Sequence, residues 1–390
     1  MARALGIDPG TRSFDLVVVE EGRVVWERSV DTVRVAEEPS SLVETVEEAG
    51  DVDLIAGPSG YGAPLIYNQE IADPEVFARE ILLLTRREDL EEGVRRGEVG
   101  IAVYKAIVDV VKELHARRLP VVYIPSVVLL PTVPSSRKFN KLDMGTADKM
   151  AIAALAVHEQ CERLGLELSD ARLIVVEMGF GYNAAVAVNS GRIVDGLGGT
   201  LTHMGFLTIG AVDAEVAVAG RSWTRSDVFY GGAATICESL DLDFVVEEGL
   251  RGVEPYASVL EALVDSVSKA ARALTSTVKE PREVVLSGRL AKNEGLLKLV
   301  SSELSDVAPV VKLRGLPGSK LAKEAAQGYA LIAEGLSGGF FKPLVDHLRI
   351  AEARGTVMSW LHHPRLAEAK ERLLRVYRAS IKEEAIKRVL

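Results

Sequence analysis

Two acids, Asp8 and Glu177, sit where this sequence could do chemistry. Each ends an apolar run, Leu5-Gly6-Ile7 before Asp8 and Ile174-Val175-Val176 before Glu177, and each is followed two residues later by a glycine, Gly10 and Gly179. The acids are 169 positions apart, and the sequence around them repeats without a gap. Second apolar runs come at Leu16–Val19 and Ala185–Val188, and Gly22-Arg23 and Gly191-Arg192 then lead into third runs. Apolar run, glycine turn, second run and third run read as a strand followed by a hairpin. A carboxylate beside a bare backbone loop at a strand end suits a metal-bound phosphate, and two such loops can face each other across a cleft. In this reading Asp8 and Glu177 serve a metal, Gly10, Gly179 and Gly181 admit a phosphate to the backbone, and Thr11, Arg12 and Ser13 donate to it. Taken alone, Asp8-Pro9-Gly10 would be an ordinary turn; the second copy argues for more.

Other residues fall into place around that cleft. Asp148 stands in the first turn of a helix that Thr146 would cap and Gly165 would end, a position suited to a catalytic carboxylate or simply to an acid favoured by the helix dipole. Upstream, Arg137, Lys138 and Lys141 crowd one loop and are expected to clamp a transferring phosphate or an anionic substrate, the alternative being a solvated basic loop. Ser59 and Tyr61, in the turn Ser59-Gly60-Tyr61-Gly62, are candidates to bind substrate. Ser287-Gly288 ends a strand before a helix, so a nucleotide can lie against that turn, with Arg289 and Asn293 near its sugar.

The elements that must position these residues repeat as well. Strands at Val52–Ala56 and Glu283–Leu286 both end in Ser-Gly turns, and Pro120–Ile124 matches Pro309–Leu313, each leading through a loop to an alanine-rich helix, Thr146–Leu164 and Lys320–Leu336. The order βββαβαβα, twice, predicts an α/β protein with largely parallel sheets. The expected division is a domain over 1–165 with an insertion at about 64–100, a second over 166–337, and a helical extension over 338–390 with a solvated last stretch. In the insertion, Asp73 should cap a helix that starts at Pro74. A chain of 390 residues suits two cores. A net charge of −10 disfavours binding nucleic acid by bulk electrostatics. Two isolated cysteines, Cys161 and Cys237, fit a reducing cytoplasm, and neither a secretion signal nor a membrane span is expected.

With these motifs the chain resembles the superfamily of acetate and sugar kinases, Hsp70-type ATPases and actin. Its five stations are matched by Asp8–Ser13, Gly145–Leu155, Glu177–Gly181, Val285–Arg289 and Ala326–Ala330. The second phosphate motif with Asn189–Asp195 is most similar to butyrate and acetate kinases, and the whole chain looks like an archaeal group labelled predicted butyrate kinase. The resemblance implies two ribonuclease H-like (actin-like ATPase) domains around a central nucleotide cleft. It also implies ATP and Mg²⁺ as cofactors and transfer of phosphate to a small molecule, a short-chain carboxylate in the butyrate kinase case. Three departures stand out: Glu177 for the usual Asp, Phe180 for a glycine near the γ-phosphate, and Arg289 for the second glycine of the adenosine motif. A nuclease resembling Holliday-junction resolvases, or a nucleotide-binding scaffold with little turnover, are the competing expectations. A homodimer is also entertained.

Overall fold

The computed structural model describes residues 2–95 and 99–390. The first sheet has six strands, β1 (Arg3–Pro9), β2 (Ser13–Glu20), β3 (Arg23–Asp31), β4 (Leu54–Ala56), β5 (Gly62–Tyr67) and β6 (Val121–Pro125), in the order β3-β2-β1-β4-β6-β5. The second has β7 (Arg172–Met178), β8 (Asn183–Asn189), β9 (Arg192–Leu197), β10 (Glu283–Ser287) and β11 (Val310–Lys312), ordered β11-β10-β7-β8-β9. Without β5, which belongs to the insertion, the two orders are the same.

The sequence repeat extends to the hydrogen-bond register. Asp8 lies opposite Asp15 and Glu177 opposite Ala184, and the hairpins bulge at Val18/Val19 and Ala187/Val188, again one repeat apart. Strands β4 and β10 then add parallel to β1 and β7 at matching positions. Both acids are therefore carried to the same end of equivalent central strands.

Five helices matter to the cleft and its surroundings: α1 (Val99–Ala116), α2 (Ala147–Leu164), α3 (Tyr256–Thr275), α4 (Glu324–Leu336) and α5 (Ala367–Ser380). Helix α3 covers the second sheet through Leu263, Val267, Ala271 and Leu274. Helix α4 belongs by chain order to the second half, yet it packs on β1 and β2 of the first sheet and crosses α2. Two glycines make that packing possible. A Cβ on Gly6 would lie 2.3 Å from the Ala330 amide nitrogen, and one on Gly328 would lie 2.3 Å from the Ala151 carbonyl oxygen. The chain thus crosses over between its halves through the small-residue face Ala326, Ala330 and Ala333, all fully buried.

The insertion begins as the sequence suggests, with the Asp73 carboxylate accepting from the Val76 amide and Pro74 opening a turn that continues as a π-helical stretch, Phe77–Leu82. The C-terminal stretch differs from the expected solvated face. Leu373, Tyr377, Ile381, Ala385 and Val389 are buried, and Arg388 binds the Leu65 carbonyl and both Glu70 oxygens at 2.7 Å. It clasps the insertion because its polar pattern still carries an apolar stripe at helical spacing. Among the described residues, no helix is long and apolar enough to cross a membrane.

Replacing Gly6 by alanine should cost about 1–3 kcal/mol by forcing α4 off the sheet. Denaturant unfolding checks this; an unchanged midpoint would mean the contact is looser than described.

Candidate active site in the interdomain cleft

The loops after β1 and β7 close in the same way. Gly10 N donates to the Ser13 carbonyl at 3.0 Å and Gly179 N to the Tyr182 carbonyl at 2.9 Å. The next amides, Thr11 and Arg12 in one loop and Phe180 and Gly181 in the other, meet no acceptor among the described residues. Successive free amides form a concave donor surface for anions. The loops face each other: a Cβ on Gly181 would lie 3.7 Å from Thr11 Oγ1. Between them is a cavity of about 230 Å³ lined by Asp8, Asp148, Glu177 and Ser59, among others. Around Arg12, Phe180, Arg289 and Lys323, which line both, it adjoins a second cavity of about 720 Å³ that reaches Ser13, Asp243 and Asn293.

Two lysines that the sequence reading gave no role hold this centre together. Lys149, in the first turn of α2, places Nζ 2.5 Å from Asp148 Oδ2 and 3.0 Å from Glu177 Oε2. Lys323, the residue before α4, places Nζ 3.0 Å from Asp8 Oδ2 and 3.7 Å from Asp15 Oδ2, and donates to the Ser13 carbonyl at 3.0 Å. Each helix of one half thus sends an ammonium to the strand-end acid of the other. Gly10 is part of this arrangement, since a Cβ there would lie 2.2 Å from Lys323 Nζ. The available signal was position: both lysines stand at the start of the alanine-rich helices.

Burial and competing charges set the protonation of the acids. Burial, reinforced by the Asp148 and Asp8 charges and opposed by Lys149, pushes the Glu177 carboxyl up to about 7. Burial also raises Asp8, against the pull of Lys323. Asp148 goes the other way: burial alone would raise it, but Lys149 and the Thr146 hydroxyl, which donates to Oδ1, hold it below the usual carboxylate range. Thr146 therefore caps α2 by position while its side chain serves Asp148. Among the described residues no three acid, histidine or cysteine side chains converge to hold a metal by themselves. Mg²⁺ rarely needs such a cage, being held by one or two carboxylates with waters and substrate phosphates. Asp8 and Glu177, whose Oε2 accepts no well-formed hydrogen bond, fit that role.

Of the other candidates, Ser59 and Tyr61 line the cavity, and Ser59 Oγ is buried without a partner. Gly288 and Arg289 line it too, whereas Ser287 is buried just behind with Oγ unpartnered. Asn293 caps the following helix with Oδ1 and donates to Asp243 Oδ1 at 2.7 Å, so its side chain is already engaged at the cavity edge. The Phe180 ring turns into the second core, 5.0 Å from the Phe206 ring, with the Arg12 guanidinium 4.2 Å over its face. It leaves the loop amides open.

The basic loop is a correction. Arg137 donates to the Val194 carbonyl at 2.8 Å and lies 3.7 Å from Asp195, Lys138 donates to the Leu130 carbonyl at 2.8 Å under the Trp360 ring, and Lys141 is exposed outside both cavities. The C-terminal extension draws this loop away from the cleft, since Asn140 bonds the backbone of Trp360 and His362. Also missed was Arg225, which donates to the Tyr61 and Tyr104 hydroxyls at 2.7 and 3.3 Å. Its signal was the long glycine-bearing stretch 198–255, which has no counterpart in the first half.

Burial lowers Lys138 to about 8 from an ordinary 10.5. Between those values the unfolded chain binds more protons than the folded one, so this lysine makes stability rise with pH from about 8 to 10.5. Unfolding measured at pH 8 and pH 10 should show a gain that Lys138→Met loses; an equal gain in both proteins would contradict the buried placement.

Comparison with known proteins agrees with this geometry. The chain is 22% identical over 355 residues to Butyrate kinase 1 of Clostridium acetobutylicum, covering 81% of this chain and 93% of that protein. Among solved structures, a propionate kinase from Francisella tularensis subsp. tularensis SCHU S4 superposes with a TM-score of 0.57 at 13% identity, over 85% of this chain and 98% of that one. Porphyromonas gingivalis acetate kinase gives 0.52 at 14% identity, over 90% and 100%. The fold is the two-sheet α/β fold of those kinases, with the same strand order in both halves once β5 is set aside. Over residues 6–363 the sequence matches the family described as "Protein of unknown function (DUF1464)", and the chain belongs to that family.

Proposed function

We propose that the protein is an ATP- and Mg²⁺-dependent phosphotransferase whose acceptor is a small carboxylate, as the names of its butyrate, propionate and acetate kinase relatives suggest. The observation that carries this reading is the pair of open-amide loops facing each other over Asp8 and Glu177, with lysines crossed between them. The nucleotide takes the larger cavity, its adenosine against Arg289 and the Asn293–Asp243 pair, and its phosphates reach past Gly288 between the loops. Arg12 and Arg289 form no ion pair among the described residues and border that path, leaving their charge for phosphate. Mg²⁺ held at Asp8 and Glu177 would neutralise phosphate charge and orient the transferring group.

The state of Asp148 favours a carboxylate acceptor over an alcohol. A hydroxyl needs a base, and an acid held ionised by Lys149 and Thr146 is a weak one. A carboxylate oxygen can attack the γ-phosphorus directly, the bond to the bridging oxygen breaks, and ADP leaves with the electron pair, with no proton to move. The chain then supplies positioning and electrostatics, which carry most of phosphoryl transfer. The nuclease reading gains no support here, because it needs several carboxylates around two metals, and among the described residues no three acid, histidine or cysteine side chains converge to hold one.

Isothermal titration should detect MgATP binding, and incubation with MgATP, butyrate and hydroxylamine should trap an acyl hydroxamate. Asp8→Asn should lower the turnover by about 10²–10³-fold. Absence of MgATP binding at millimolar nucleotide would remove the proposal.

A further inference from the structure

The smaller cavity carries chemistry that phosphate transfer to a plain fatty acid does not use. Arg225 reaches back from the second half, and its Nη2 donates to both the Tyr61 and the Tyr104 hydroxyl. The guanidinium carbon lies 5.1 Å from the Tyr61 ring centre, 6.0 Å from Tyr104 and 5.4 Å from Phe229. No carboxylate pairs with Arg225 among the described residues, and its Nε is sealed from water without an acceptor. A half-buried cation with aromatic faces and phenols around it and no carboxylate partner among the described residues is short of an anion.

A phenol has one proton to give and lone pairs to accept with. Arg225 occupies lone pairs on both phenols, and neither hydroxyl donates to an acceptor among the described residues. Burial, only partly offset by Arg225, raises Tyr61 well above the usual phenol range, so it stays a neutral donor. Both tyrosines line the same cavity as Asp8, and Leu83, Val103, Ile107 and Ile152 supply apolar wall. The nearest acid there, Asp143, accepts from the Gly145 and Thr200 amides, and burial raises its carboxyl.

We infer that the acceptor is a dicarboxylate: one carboxylate reacts at the Asp8 end, and a second, separated by a short apolar chain, is bound by the Tyr61 and Tyr104 hydroxyls that Arg225 orients. Arg225 is a positioning residue, because it acts through the two phenols. The assignment of the reacting end rests on the phosphotransfer reading; the second carboxylate site does not.

Glutarate and valerate share a five-carbon chain and differ by one terminal carboxylate. Titrated into the full-length protein without nucleotide, glutarate should bind at least about tenfold more tightly, the scale of hydrogen bonds to a charged group. Tyr61→Phe and Tyr104→Phe keep the rings, and each should bring the ratio toward one, as should Arg225→Met. Equal binding of the two acids, no glutarate binding at millimolar concentration, or an Arg225→Met protein that loses affinity for both acids alike would overturn the inference, the last leaving Arg225 a mere latch between the halves. Glutarate preference without MgATP binding would sink phosphotransfer and leave this site standing; MgATP binding without the preference would do the reverse.

Discussion

The structure depends on two ammonium groups exchanged between its halves. Asp8, Asp148 and Glu177 line one cavity, and each carboxylate raises the energy of the others there. In a poorly hydrated space such a cluster is unstable unless cations enter it. Lys149 and Lys323 are those cations, and they can reach because α2 and α4 cross at Gly328 and Ala151 and begin beside the strand ends. The close helix crossing, the bare Gly10 and the seating of α4 on the first sheet are therefore one requirement, met by small residues. Removing either lysine would leave a buried acid without its counter-ion, a larger change than loss of one surface pair.

The same pairing prepares the cleft for a polyanion. The carboxylates already have partners, so among the described residues the donors left around the loops are the Thr11, Arg12, Phe180 and Gly181 amides, the Arg289 guanidinium and that of Arg12, which spends one N–H on the Leu240 carbonyl at 3.3 Å. Burial and the Arg12 charge lower Arg289, which shows the two cations straining against each other. An anion between them relieves that repulsion. Phe180 contributes by filling the second core and offering its face to Arg12, which fixes the guanidinium where the two cavities meet.

What the sequence made legible follows from range. The repeat, the succession of strands and helices along the chain and the facing of the two loops could be read because hairpin geometry is local and its phase is written in consecutive residues. Asp8, Glu177, Ser59 and Tyr61 reached the cavity for the same reason, each standing at the end of a recognisable strand. Lys323 went unread because its partners Asp8 and Asp15 lie at the opposite end of the chain, and no period reports such a contact. Arg137 and Lys138 were read as a phosphate clamp from their crowding alone, while Val194 and Trp360, which hold them elsewhere, come from a distant strand and the C-terminal extension. Helix α4 was assigned by order, and its true seat is decided by Gly6 and Gly328, whose significance appears only when the backbones meet.

The imperfections of the repeat now have a physical sorting. The two loops agree in backbone, down to the Gly10 and Gly179 hydrogen bonds and the phase of the bulges, and differ in side chains. Backbone amides recognise phosphate whatever side chain is attached, so Phe180 can be spent on core packing without closing the loop. The additional methylene of Glu177 has a similar logic, since it lets a strand-end acid of one half meet Lys149 of the other. The duplicated element thus fixes where phosphates can sit, whereas the unduplicated stretch 198–255 brings Arg225 to Tyr61 and Tyr104 and shapes the far wall. Shared backbone and unshared insertion divide the site into a general part and a selective part, and the identity of the acceptor is written in the second.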